Sequence, residues 1–143
     1  LNYRMTDIHA ALGNSQMDRL DKYVLQRSKI ASWYDEKFKD IDVNPLVQKL
    51  NRSSSHHLYV VIFNGGLQER NKIYANLREC DIEVNLHYIP VYHHPFYQKQ
   101  GFTKGYCPQA EKYYQEAISI PMFYGLNEEL QDQVIKILKE NIF

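Results

Sequence analysis

Apolar residues recur along this chain at two different periods, and the switches between them mark its elements. Ile8, Ala11 and Leu12 share one helical face, and the pattern continues through Leu20, Val24, Ile30 or Ala31, Tyr34 and Phe38. That predicts a long amphipathic helix reaching about Asp40. Thr6 or Asp7 is placed to cap it, since either side chain accepts a bond from the free amides of the first turn. Gly13 costs roughly 1 kcal/mol against Ala inside a helix, so it marks a kink or a close approach by another backbone.

Asp42 to Ser55, with Pro45 and Asn51-Arg52-Ser53-Ser54-Ser55, has no period and reads as a connection. His57 to Phe63 is rich in Val, Ile, Tyr and Phe and stops at Asn64-Gly65-Gly66, a strand with a turn behind it. Leu67 to Cys80 returns to helical spacing, with Ile73, Tyr74 and Leu77 inward and Glu69 at the end its charge favours. Glu83 to Tyr88 predicts a second strand. Ile89 to Tyr106 is broken by prolines and glycines, and at about 18 residues it exceeds the usual connection, which points to function. Pro108 opens a helix to about Glu116, Ala117 to Pro121 reads as a third strand ended by its proline, and Asn127 caps a last helix with Leu130, Val134, Ile135 and Leu138 on its apolar face. The predicted fold is α+β: a long N-terminal helix, then a small, mainly antiparallel three-stranded sheet covered by helices. Residues 1–40 form a bridging segment and 41–143 the small domain.

Composition narrows the function. Seventeen basic and seventeen acidic residues cancel, so nothing favours nucleic acid or an acidic membrane as the partner. No apolar run approaches the roughly 18 residues of a span. Cys80 and Cys107 lack metal-ligand spacing and leave room for one disulfide at most, so a reduced cytoplasmic setting is the default. Twelve tyrosines among 143 residues suit polar pockets and subunit contacts as well as a core. The chain opens at Leu1 on what reads as a loop entering a helix, which predicts that it is a piece of a longer protein.

The chemistry concentrates in Val84-Asn85-Leu86-His87-Tyr88-Ile89-Pro90-Val91-Tyr92-His93-His94-Pro95, which holds three of the six histidines. The doublets His56-His57 and His93-His94 point to opposite sides of an extended chain, so neither chelates well and no metal site is predicted. His87, at a strand end before a proline-fixed turn, is suited to hold a phosphate or a sugar hydroxyl. Ser53 to Ser55 beside His56 make no triad, which is assembled in space. Gly65-Gly66 lacks the spacing of a phosphate loop. Asn2 and Arg4, just before a helix start, are the other candidate anion contacts.

Two blocks, Asn2-Tyr3-Arg4-Met5-Thr6-Asp7-Ile8-His9-Ala10-Ala11-Leu12-Gly13 and Val84-Asn85-Leu86-His87-Tyr88-Ile89-Pro90-Val91, carry a resemblance. Gln16 to Leu20, His57-Leu58-Tyr59, His94 to Tyr97 and Ala117 to Met122 extend it over essentially the whole chain. The chain resembles the C-terminal domain of the DegT-like sugar aminotransferases, pyridoxal-phosphate (PLP) enzymes of the aspartate-aminotransferase fold. It is most similar to the branch that aminates a UDP-linked 4-keto-6-deoxy-N-acetylhexosamine on the way to pseudaminic acid and related surface sugars. The resemblance implies a homodimer in which L-glutamate supplies the amino group. It assigns Asn2 to the neighbouring subunit's PLP phosphate and His87, Tyr88, Ile89 and Pro90 to the nucleotide sugar. Arg4 is assigned to the donor carboxylate or to structural pairing. The PLP lysine of that family falls upstream of Leu1, and none of the lysines here sits in a like context. The chain alone is therefore expected to hold no catalytic residue and no PLP. The competing reading is a free-standing α+β interaction module with a tyrosine-rich rim.

Overall fold

Side chains alternate across the chain's central strands, and that alternation divides a core face from a face that carries polar groups. A computed structural model describes residues 3–142. Its sheet holds β1 (Asn44–Pro45), β2 (Tyr59–Ile62) and β3 (Ala117–Ile120) in the order β1-β2-β3, with both pairs antiparallel. Val61 lies opposite Ile118 and Tyr59 opposite Ile120, and all four are buried. Around the sheet run α1 (Asp7–Met17), α2 (Leu20–Lys37), α3 (Gly66–Glu79), α4 (Pro95–Gln98), α5 (Pro108–Glu116) and α6 (Glu128–Ile142).

One core joins these elements. Ile30, Ala31, Tyr34 and Phe38 from α2 and the turn after it meet Tyr59, Val61 and Phe63, and α3 and α6 add Ile73, Leu77, Val134, Ile135 and Leu138. The Tyr34, Phe38 and Tyr59 rings pack with centroids 4.9–6.1 Å apart. The Tyr34 hydroxyl donates to Pro121 O at 3.1 Å and Tyr59 donates to Asp35, so burial of these phenols leaves no proton without a partner. Burial pushes both phenols far above the ordinary tyrosine range.

Four expectations are corrected. The N-terminal helix is two helices, and the break falls at Asp18-Arg19 rather than at Gly13, which has open space around it. There the backbone bonding slips to three residues, Arg19 N–H to Gln16 O at 3.1 Å, a change that leaves helical side-chain spacing nearly in phase. The predicted strand at Glu83–Tyr88 shrinks to one bridge, Asn85 with Ser119. Asn85 takes the next amide, Leu86 N–H, on its own side-chain oxygen at 2.8 Å, and such local bonds compete with a ladder. In its place the sheet takes a strand from the presumed connection: Asn44 and Pro45 pair with Ile62 and Val61, at an edge where proline's missing N–H donor is tolerated. In α6 the inward position is Gln131, not Leu130; its Nε2 donates to Ile30 O at 3.1 Å inside the core. Asn127 caps that helix as expected, accepting Leu130 N–H at 2.9 Å.

The long connection after residue 89 is ordered by one carboxylate. Glu111 Oε1, on α5, accepts from Gly105 N–H at 2.6 Å and Tyr92 O–H at 2.8 Å, and lies 3.1 Å from His93 Nε2. The Tyr92 oxygen in turn accepts Cys107 N–H at 3.2 Å. The Gly105 amide, then His93 and Tyr92, hold the Glu111 carboxyl below the ordinary glutamate value. Burial, and after it the Glu111 carboxylate, pushes the Tyr92 phenol up. Outside this staple the connection is a turn at Val91–His93 and the short α4.

Two outcomes follow from this packing. Leu77→Ala, at a fully buried position, is expected to cost about 2–5 kcal/mol in denaturant unfolding. Because the folded state lowers the Glu111 pKa, its stabilisation is complete above the unfolded value of about 4.3 and drains away as pH falls through the lower folded value. Protection of the Gly105 amide, measured by hydrogen exchange against its intrinsic rate, should fall on that acid limb in the wild type. In Glu111→Gln the exchange should already be fast at pH 7, with the acid limb flattened.

Candidate functional site

The segment from Val84 to Pro95 leaves the sheet with alternating commitments. Val84 is buried in the core, Asn85 is bonded to Ser119 through both backbone groups (3.1 and 2.8 Å), and Pro90 is buried again. His93 N–H and His94 N–H then close a turn on Pro90 O and Val91 O, and Pro95 opens α4 at its first turn, where a missing N–H costs nothing. Tyr88 is 71% exposed and Ile89 is exposed beside it. The His87–Tyr88 peptide bond is cis.

His87 is held in place by what surrounds it. Its Nδ1 lies 2.8 Å from Ser119 Oγ, and the Tyr88 ring meets it edge-on, centroids 4.6 Å apart at 87°. Its half-buried ring lines a cleft of about 520 Å³ between residues 80–87, the end of β3 and α6. The walls are largely apolar, with Met122, Leu126 and Val134 among them; Asn85 and Ser119 are polar points beside His87, and Asp81, Glu83 and Gln133 also line the cleft. Arg27, from α2, closes the structure nearby: its Nη1 lies 3.0 Å from the carbonyl oxygens of His56, His57 and Met122. A larger groove, about 1110 Å³, runs along residues 45–60 and contains His56 but none of the predicted site residues. Its chemistry is that of a polar loop, so the smaller cleft is the better candidate.

The predicted site residues are only partly brought together. Of them, His87 lines the cleft, whereas Tyr88, Ile89, Pro90 and Arg4 do not. Tyr88 and Ile89 form an exposed rim next to it. Arg4 is exposed on the extended segment before α1, and Asn2 lies outside the described residues. Among the described residues no three His, Cys, Asp or Glu side chains gather into a metal-sized site, and Cys80 and Cys107 are free and exposed. No helix among them is long and apolar enough to cross a membrane. Sequence reasoning missed Ser119, Arg27 and Glu111, each of which acts on a partner at least 18 positions away in the chain. The one available signal was a serine between two isoleucines at a buried strand position.

A PLP cofactor joined as a Schiff base needs a lysine amine at the site. No lysine lines the His87 cleft, so the described residues do not by themselves fit that group.

The chain is 33% identical to the UDP-4-amino-4,6-dideoxy-N-acetyl-beta-L-altrosamine transaminase of Helicobacter pylori, over 96% of this chain and 37% of that one. A sugar aminotransferase from Streptococcus pneumoniae, described as putative and solved in a PLP form, superposes with a TM-score of 0.91 at 33% identity, covering 97% of this chain and 36% of that structure. Helicobacter pylori PseC, an aminotransferase involved in the biosynthesis of pseudoaminic acid, superposes with a TM-score of 0.88 at 30% identity, over 99% and 38%. The chain thus spans little more than a third of the length of the relatives it matches. A sequence model of one family takes in residues 1–139, nearly the whole chain, and by that match the chain belongs to the DegT/DnrJ/EryC1/StrS aminotransferase family.

Proposed function

We propose that this chain is the C-terminal part of a PLP-dependent aminotransferase that moves an amino group from L-glutamate to the keto carbon of a UDP-linked 4-keto-6-deoxy sugar. The products are 2-oxoglutarate and an amino sugar for a surface glycan of the pseudaminic-acid type. The single observation that carries this reading is His87, held by Ser119 at the wall of a cleft, in a chain whose relatives include a UDP-amino-sugar transaminase. When bound, PLP supplies the electron sink; the Schiff-base lysine comes from the remainder of the protein, and this chain alone is inactive.

In this reading residues 41–143 are the small domain, and residues 1–40 bridge to the rest of the enzyme and to the second subunit of a cytoplasmic homodimer. His87, Tyr88, Ile89 and Pro90 form the nucleotide-sugar wall: His87 meets oxygen atoms, Tyr88 and Ile89 give an apolar rim, and Pro90 fixes the turn behind them. Asn2 reaches the partner subunit's cofactor phosphate, and Arg4 meets the donor carboxylate. The surface of α1 supports a bridging role. It buries no residue within the described chain, and Ile8 and Leu12 are 82% and 58% exposed; apolar side chains gathered on one surface of this kind are usually covered in an assembly.

The test uses the full-length protein with PLP, L-glutamate and a UDP-4-keto-6-deoxy-N-acetylhexosamine. Amino sugar and 2-oxoglutarate are expected in equal amounts, and absence of both refutes the assignment. His87→Ala in the same protein should weaken sugar-nucleotide binding about tenfold by calorimetry, the loss of one hydrogen bond to a charged or polar oxygen. An unchanged affinity removes His87 from the site.

A further inference from the structure

Ser119 sits where a hydroxyl has few ways to be satisfied. It is in β3 between Ile118 and Ile120, both in the core, and is itself only 5% exposed. Its amide and carbonyl are taken by Asn85. Among the described residues the partner of its hydroxyl is His87 Nδ1, at 2.8 Å.

A serine hydroxyl has one proton to give, and a neutral imidazole has one donor and one acceptor nitrogen. If Nδ1 carried the ring proton and donated to Oγ, the serine proton would be left without an acceptor in a nearly closed position. That costs about 1–3 kcal/mol. If Oγ–H donates to Nδ1, the hydroxyl is satisfied and the ring proton must be on Nε2, which has no hydrogen-bond partner among the described residues. The Tyr88 ring packs against the imidazole, centroids 4.6 Å apart, and the Asn85–Ser119 bridge ties the backbone before His87 to β3.

We propose that Ser119 is a positioning residue that locks His87 into the Nε2–H tautomer, so that the cleft offers one fixed N–H donor. A donor at that point selects acceptor oxygens of a ligand, a phosphate or a sugar carbonyl or hydroxyl, and disfavours an ammonium group. This rests on the reading of His87 as a sugar-nucleotide contact. Ser119 touches no ligand in this scheme; it acts through His87.

The test uses the full-length protein labelled with 15N-histidine, and Ser119→Ala, Ser119→Thr and His87→Ala variants checked for folding by circular dichroism and melting. The His87 ring signals, identified by their loss in His87→Ala, should show a single Nε2–H tautomer in the wild type and a mixture in Ser119→Ala. Titration with UDP and with UDP-N-acetylglucosamine should show affinity about three- to tenfold weaker in Ser119→Ala. Thr, which keeps the hydroxyl, should restore both readouts. Equal losses for the two probes place the donor on the diphosphate, and a loss confined to the second places it on the sugar. Ring signals unchanged in Ser119→Ala overturn the proposal, as does a changed tautomer with unchanged affinity in a protein that His87→Ala weakens. If His87→Ala itself binds both probes normally while Ser119→Ala still shifts the tautomer, the sugar-nucleotide reading fails and the tautomer assignment stands.

Discussion

The antiparallel pairing of Tyr59–Ile62 with Ala117–Ile120 sets Val61 opposite Ile118 and Val60 opposite Ser119. Because successive side chains on a strand point to opposite faces, this one register does two things. It commits Tyr59, Val61, Ile118 and Ile120 to the core shared with α2, α3 and α6, and it turns Ser119 toward Asn85 and His87. A slip of one residue would put the serine in the core and isoleucines at the cleft. The site and the core are consequences of the same pairing.

Polar anchors then attach the remaining pieces to that sheet. Arg27 ties α2 to the strand entry at His56-His57 and to the chain leaving β3 at Met122. Gln131 ties α6 to α2 from inside the core. Glu111 gathers Gly105, Tyr92 and His93 onto one oxygen and so orders the connection that follows the site. Arg27 and Glu111 thereby satisfy backbone groups that irregular segments leave unpaired, the carbonyls of His56, His57 and Met122 and the amide of Gly105. Irregular chain beside the His87 cleft is stable here because its hydrogen bonds are supplied from neighbouring helices.

The helix α1 is exposed at every position, whereas α5, which also has no fully buried residue, keeps several half-buried ones. Its cap is weak, with Thr6 Oγ1 accepting His9 N–H at 3.4 Å, and an isolated helix of its length is marginal in water. The relatives are nearly three times as long, and the bridging role proposed for α1 accords with its exposure.

The sequence by itself determined the α+β class, the antiparallel sheet, two of the helices nearly to the residue, and the cap at Asn127. These follow from periodicity, from proline and glycine chemistry and from local caps, all of which act within a few positions along the chain. Its misreadings were where two local patterns read alike. Leu130 and Gln131 are adjacent, and only burial against Ile30 chooses the polar one as the inward residue. Glu83–Tyr88 has the alternation of a strand, but a single bridge to Ser119 is all that the sheet edge accepts. Tertiary structure alone decided that Ser119 holds His87, that Glu111 staples the long connection, and that Tyr88 and Ile89 stand outside the cleft their neighbour lines. The physical reason is separation: Ser119 lies 32 positions from His87 and Glu111 lies 18 from His93, and such pairings are fixed by the register of the folded sheet and the helices packed on it.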